Sequence, residues 1–125
     1  IINENELRYE LRDRTSNLKV LSSLISKKNN IKKVVITKGQ TGSILYDRKS
    51  RNYIECPALI NKVIDKVGAG DFMLSIMSLL ISSKLEDKAS LFVGNLVGAM
   101  SVSSMANSEF IDKVDLKKKI IYTLK

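Results

Sequence analysis

The segment Ile64-Asp65-Lys66-Val67-Gly68-Ala69-Gly70-Asp71 runs without interruption into an apolar, helix-prone stretch at 72–81. Glycines on either side of a small residue let the backbone turn sharply and bring its N–H groups near a ligand. The helix that follows adds the positive end of its dipole at the same place. This part of the chain is therefore restricted to a loop feeding a helix N-terminus that can receive an anion. Asp71 falls in the first helical turn, where a carboxylate is favoured and could take a proton from an alcohol held by the loop. A glycine turn followed by an Asp that only caps the helix accounts for the same residues.

The rest of the chain alternates strand and helix signals. Ile1-Ile2 reads as the tail of a buried strand, and Asn3-Glu4-Asn5-Glu6 as the passage from strand to helix, with Leu7, Leu11 and Tyr9 as its apolar face. At the carboxyl end of a strand, Asn3 and Glu6 can hold a hydrated magnesium ion or its phosphate partner through oxygen ligands. An Asn cap answered by Glu at the third helical position, a capping box, is the simpler explanation of the pair taken by itself. Ser16 or Asn17 then caps a helix whose Leu18, Leu21, Leu24 and Ile25 recur at helical spacing, and Lys27-Lys28-Asn29-Asn30 ends it. Val34-Val35-Ile36 is a continuous apolar run, as expected of a strand covered on both faces.

That strand leads into Thr37-Lys38-Gly39-Gln40-Thr41-Gly42, where hydroxyl, ammonium and glycine amides suit a phosphate and equally suit a hairpin turn. Segments 43–47 and 53–56 read as an exposed β-hairpin around Arg48-Lys49-Ser50-Arg51-Asn52, closed by Pro57. After the glycine loop, apolar residues around most of the 72–81 circumference predict a buried helix. A further helix starts at Glu86 or Asp87 and carries Leu91, Phe92, Val93, Leu96, Val97 and Met100. Its Gly94, Gly98 and Ala99 allow close approach of a neighbouring helix or of a flat nucleotide ring. Asp115 is expected to cap a last amphipathic helix at 116–124, with Lys117-Lys118-Lys119 on its wet side.

Composition narrows the chemistry. With 125 residues and 44% hydrophobic side chains, the chain is expected to fold as one globular unit. It opens Ile1-Ile2-Asn3 without Met and is expected to be a piece of a longer protein. The net charge of +8 is spread along the chain and only 6% of residues are aromatic, which reads as solvated lysines rather than a nucleic-acid surface. Cys56 is the sole cysteine and there is no histidine, so an intrachain disulfide, the usual zinc sites and a His base are excluded. No apolar run approaches the ~20 residues of a membrane span and no signal-peptide pattern is present, so a cytoplasmic setting is expected.

Taken in order, N-x-x-E (Asn3, Glu6), T-x-G-x-x-G (Thr37, Gly39, Gly42), D-x-x-G-A-G-D (65–71) and the helix segment 95–99 resemble the C-terminal half of the ribokinase-like, or PfkB, carbohydrate kinases. The resemblance covers nearly the whole chain. It implies an α/β fold, the C-terminal part of a three-layer architecture with helices on a mainly parallel sheet plus a β-hairpin. Residues 1–125 would form the nucleotide-binding part, with the sugar-binding and lid half outside them. The implied activity is transfer of the ATP γ-phosphoryl group to a sugar or sugar-acid hydroxyl. Asp71 would be the base, Gly68, Ala69 and Gly70 the anion hole, and Asn3 and Glu6 the magnesium–phosphate contacts. Thr37, Gly39 and Gly42 would meet the nucleotide phosphates, and Asn95 would lie near its base or ribose.

A heptose phosphate and a 2-keto-3-deoxy sugar acid are the substrate classes raised, a homodimer the assembly. A monovalent cation near Asp65 is a further cofactor of some relatives; here Lys66-Val67 stand where Thr-Thr or Thr-Gly is common. Met73 replaces a frequent aromatic two places after the catalytic Asp, and Met105-Ala106-Asn107-Ser108 replaces a Gly-Ala turn. A non-catalytic nucleotide-binding or scaffold domain that kept the fold is the alternative function.

Overall fold

The computed structural model describes residues 1–59, 68–102 and 111–125. Within the single expected domain the chain separates into two compact units, Ile1–Pro57 and Ala58–Lys125. The first holds the four described strands, β1 (Ile2–Asn3), β2 (Lys33–Thr37), β3 (Ser43–Asp47) and β4 (Asn52–Cys56), with helices α1 (Glu4–Leu11) and α2 (Leu18–Lys28). The second holds α3 (Ala69–Ser82), α4 (Asp87–Val102) and α5 (Lys113–Thr123). The fold is α/β. No helix of the described residues is long and apolar enough to cross a membrane.

The sheet order is β1-β2-β3-β4, with β1 parallel to β2 and the other two pairs antiparallel. Among the described strands the expected mainly parallel sheet thus has one parallel pair, because the hairpin continues the same sheet. For the same reason β3 is an interior strand with Ser43 to Tyr46 buried, where an exposed hairpin was expected. Val34, Val35 and Ile36 are all buried, as their unbroken apolar run predicts. Val34 and Ile36 share a core with Leu7 of α1 and Leu21 and Ile25 of α2, flanked by Ile2, Leu11 and Leu18. Burial of a side chain such as Leu7, Leu21 or Ile36 contributes about 1.5–3 kcal/mol.

Several expected core positions lie outside. Tyr9 is 87% exposed, since two residues along a helix from Leu7 is nearly the opposite side. Leu24 is exposed, while Ser22 and Ser26, which flank Ile25 on the inner face, are buried. Their hydroxyls are satisfied by the carbonyls of Lys19 and Ile31. Ile1 is exposed and Ile2 half-buried because β1 is the edge of the described sheet. Asn17, not Ser16, caps α2, its Oδ1 accepting the Lys19 N–H at 2.8 Å.

In the second unit α3 buries Met73 and Met77 against α4, which offers Leu91, Leu96 and Val97. The helix is not buried all round as expected: Leu74 and Leu79 are exposed. α5 is capped by Asp112, whose carboxylate accepts the Val114 N–H at 3.3 Å. Asp115, the expected cap, sits one turn inside and pairs with Lys118 at 3.5 Å. Lys117, Lys118 and Lys119 are exposed as expected.

Asp47 closes β3 opposite Lys33 of β2. Burial raises its carboxyl, but the Lys49 N–H at 2.9 Å, the Ser50 hydroxyl at 3.1 Å and the Lys33 ammonium at 3.4 Å together hold it below the ordinary value. A depressed native value means that this stability is present above the unfolded carboxylate value of ~3.9 and is lost as pH falls through the native one. Asp47→Ala is therefore expected to cost about 1–3 kcal/mol at pH 7, a gap that narrows toward pH 3. Urea unfolding at the two pH values checks this, and an undiminished gap in acid would refute it.

Candidate active site

The parallel register Ile2↔Ile36 and Asn3↔Thr37 sets Asn3 and Thr37 side by side at the carboxyl edge of β1 and β2. In open α/β sheets that edge is where ligands collect. Asn3 ends its strand and caps α1 in one step. Its Oδ1 accepts the Glu6 N–H at 2.9 Å, and its own N–H donates to Glu6 Oε2 at 3.2 Å. The capping box is thus realised. It leaves the Asn3 side-chain NH2 and the second Glu6 oxygen outside the box, on two exposed residues.

Beyond Thr37 the chain makes one 3-10 turn, Gly39–Thr41, and returns as β3. The Lys38 N–H donates to the Gly42 carbonyl at 2.8 Å, the Gly42 N–H to the Gly39 carbonyl at 3.2 Å, and the Thr41 hydroxyl to the Lys38 carbonyl at 2.9 Å. The hairpin turn that the sequence allows is therefore formed, and Gly42, buried with φ 96°, spends its amide on it. Gly39, also at positive φ, is exposed with nothing within 4 Å of a built Cβ. Lys38 pairs across the sheet edge with Glu55 at 3.5 Å.

In the second unit the glycine loop divides its labour. Gly68 takes the left-handed conformation, φ 84° and ψ −10°, as the residue before α3. Ala69, Gly70 and Asp71 are already helical, and the first helical bond is Phe72 N–H to the Gly68 carbonyl at 3.0 Å. The amides of 69–71 are the donors that a helix N-terminus leaves without an intrahelical acceptor, and Gly68, as the cap residue, has no side chain to offer them. A Cβ on Gly70 would meet nothing within 4 Å among the described residues, so there is room beside this turn. Asp71 is exposed in the same turn, its carbonyl accepting the Ser75 hydroxyl at 2.9 Å. Amides without an intrahelical acceptor, a dipole end and room beside Gly70 suit a polyanion.

Gly94 and Gly98 of α4 serve the neighbouring helix. A Cβ on Gly94 would stand 2.6 Å from Met77 Cγ, and one on Gly98 3.7 Å from the Ala69 carbonyl oxygen. Between them, half-buried Asn95 donates through Nδ2 to the Leu91 carbonyl at 2.8 Å. Asp65, Lys66, Val67 and the 105–108 segment lie outside the described residues. Cys56 is buried, which raises its thiol above the ordinary value.

Among the described residues no group of three or more His, Cys, Asp or Glu could hold a metal. Magnesium keeps most of its waters and binds through one or two carboxylates plus substrate phosphates. One unspent Glu6 oxygen fits that mode, and a multi-carboxylate cage is absent among the described residues.

Residues 1–113 match the pfkB family carbohydrate kinases. The chain is 28% identical over 79 residues to the bifunctional protein HldE of Campylobacter curvus, covering 63% of this chain and 16% of that one. Phosphofructokinase-2 from Escherichia coli, solved with substrates and products, superposes at a TM-score of 0.81 with 21% identity, covering 98% of this chain and 40% of that one. Arabidopsis thaliana ribokinase, solved with ribose and ATP, gives 0.79 at 20% identity, covering 95% and 40%. The chain thus spans about 40% of the length of these solved relatives. A family match across residues 1–113 places this chain in the PfkB family of carbohydrate kinases.

Proposed function

We propose that the protein containing this chain is an ATP-dependent carbohydrate kinase, and that residues 1–125 are the nucleotide-binding C-terminal part of its kinase domain. The observation that carries the reading is the α3 N-terminus: amides without an intrahelical acceptor, room beside Gly70 and a carboxylate in the same turn. Phosphoryl transfer needs little covalent help from the protein; positioning and charge stabilisation do most of the work. In the proposed reaction the acceptor hydroxyl gives its proton to Asp71 as its oxygen bonds to the γ-phosphorus. The bond from that phosphorus to the β–γ bridging oxygen breaks, and ADP leaves. The amides of Gly68, Ala69 and Gly70 face the charge that develops on the phosphoryl oxygens.

Asn3 contributes its side-chain NH2 to a phosphate oxygen, and Thr37 and the Gly39 backbone hold the nucleotide phosphates from the sheet edge. Gly42 acts through the turn it closes, and Asn95 through the placing of α4. Glu6 would hold magnesium through water, and the ion when bound neutralises phosphate charge.

ADP release by the full-length protein, with ATP, magnesium and a sugar panel, tests the reading. The panel includes ribose and fructose 6-phosphate, bound by solved relatives, with a heptose phosphate and a 2-keto-3-deoxy sugar acid. One acceptor is expected to raise ADP formation well above the level of Asp71→Asn. Equal, background ADP formation by both proteins with every acceptor would favour a non-catalytic nucleotide-binding role. Because E. coli phosphofructokinase-2 has also been solved with potassium, the assay is run with and without that ion.

A further inference from the structure

The outer side of α1 and the loop after it form an open concavity in the first unit, lined by Arg8, Tyr9, Arg12, Arg14 and Lys28 among others. Its cations fall into two groups. Arg8 is committed, with Nη2 meeting Glu4 Oε1 at 2.9 Å and Nη1 donating to the Ser16 carbonyl at 3.0 Å. Lys28 is held by Glu10 at 2.7 Å. Arg12 and Arg14 are exposed, and neither forms an ion pair among the described residues. Asp13, which lies between them, is turned to the backbone: its Oδ1 accepts the Thr15 and Ser16 N–H groups at 3.0 and 2.9 Å. The Ser16 side chain first, and then these backbone bonds, hold its carboxyl below the ordinary value, and it forms no ion pair with either arginine among the described residues.

The backbone that carries the two free guanidiniums is fixed on both sides. Arg12 adopts φ 51° and ends α1 by donating its N–H to the Arg8 and Tyr9 carbonyls, while the Asp13 turn and the Arg8–Ser16 bond secure the other end. Beside them the Tyr9 ring is 87% exposed. Paired planar forks match a phosphate bidentately, and an exposed ring offers a stacking surface to a second ring. We propose that this concavity binds a phosphorylated small molecule, its phosphate taken by Arg12 and Arg14 and its ring packed on Tyr9. The site is separate from the residues given roles in phosphoryl transfer and does not depend on that reading.

Calorimetric titration of the full-length protein with ribose 5-phosphate, AMP and inorganic phosphate tests it. Both ring phosphates are expected to bind saturably and more tightly than inorganic phosphate. Arg12→Ala/Arg14→Ala should weaken them at least about tenfold, while Arg12→Lys/Arg14→Lys retains only part of the affinity because a point charge lacks the fork. Tyr9→Ala should weaken the ring phosphates several-fold and leave inorganic phosphate unchanged. All three positions are exposed, and matching unfolding midpoints confirm that the variants are folded. Ring-phosphate affinity unchanged in the Ala pair would overturn the site, assigning any binding to another locus. Equal affinity for all three ligands, insensitive to Tyr9→Ala, would overturn the ring contact.

Discussion

Asp71→Asn is expected to lower kcat by at least about 100-fold while ATP affinity stays within a few-fold. The carboxylate is assigned to the acceptor hydroxyl, whereas the nucleotide phosphates fall to backbone amides and Thr37, so chemistry and binding should separate. Asp71 is exposed and α3 is opened by Gly68 without a side-chain cap, so the substitution removes no cap and should leave the fold intact. Near-wild-type turnover in a folded, ATP-binding variant would end the general-base assignment.

Gly70→Ala supplies the complementary result. Its Cβ meets no atom within 4 Å and its backbone is already helical, so the variant should gain up to about 1 kcal/mol of helix stability. The added methyl occupies the space proposed for phosphate, so nucleotide binding should fall as stability rises. Gly68→Ala should instead lose about 1–2 kcal/mol, because Gly68 holds a positive φ, 84°.

That division between Gly68 and Gly70 shows where sequence reasoning reaches its limit. G-A-G-D announces a loop, a helix start and a carboxylate, yet both glycines look alike until the backbone shows that one bends and the other leaves room. Val34 to Ile36 are legible because a strand buried on both faces needs an unbroken apolar run. Asn3 and Glu6 carry two compatible messages, since a capping box spends one oxygen from each side chain and leaves polar atoms over. Leu24 misleads because helical spacing admits two faces around Leu21, and the neighbours on the opposite face decide which is buried. The exposed Leu74 and Leu79 follow the same logic: apolar residues all round α3 outnumber what α4 alone can cover. Asp112 is legible as well, since D-x-x-D before a helical pattern offers the first Asp as cap as readily as the second.

Substitutions at Gly94 and Gly98 are expected to have opposite signs, although both glycines lie on the same helix. Replacing a helical Gly with Ala normally gains about 1 kcal/mol. At Gly98 nothing opposes that gain, because the new Cβ would meet the Ala69 carbonyl oxygen at 3.7 Å and Met73 Cβ at 3.9 Å, ordinary contact distances. Gly98→Ala should therefore stabilise the protein. At Gly94 the new Cβ would fall 2.6 Å from Met77 Cγ and 2.8 Å from its sulfur, separations that require movement of a side chain only 2% exposed. Overpacking of this kind costs about 1–3 kcal/mol for a small insertion. Gly94→Val adds a branched side chain with little propensity gain to offset it, and should lie at or beyond the top of that range. Met77→Ala alone should cost about 2–5 kcal/mol through the cavity it leaves. Combined with Gly94→Val it should cost less than the sum, since the valine enters the space that the methionine vacates. A coupling of about 0.5–3 kcal/mol in urea unfolding is the expected signature. Additive losses, or a stabilised Gly94→Ala, would mean that α3 and α4 do not meet at Met77.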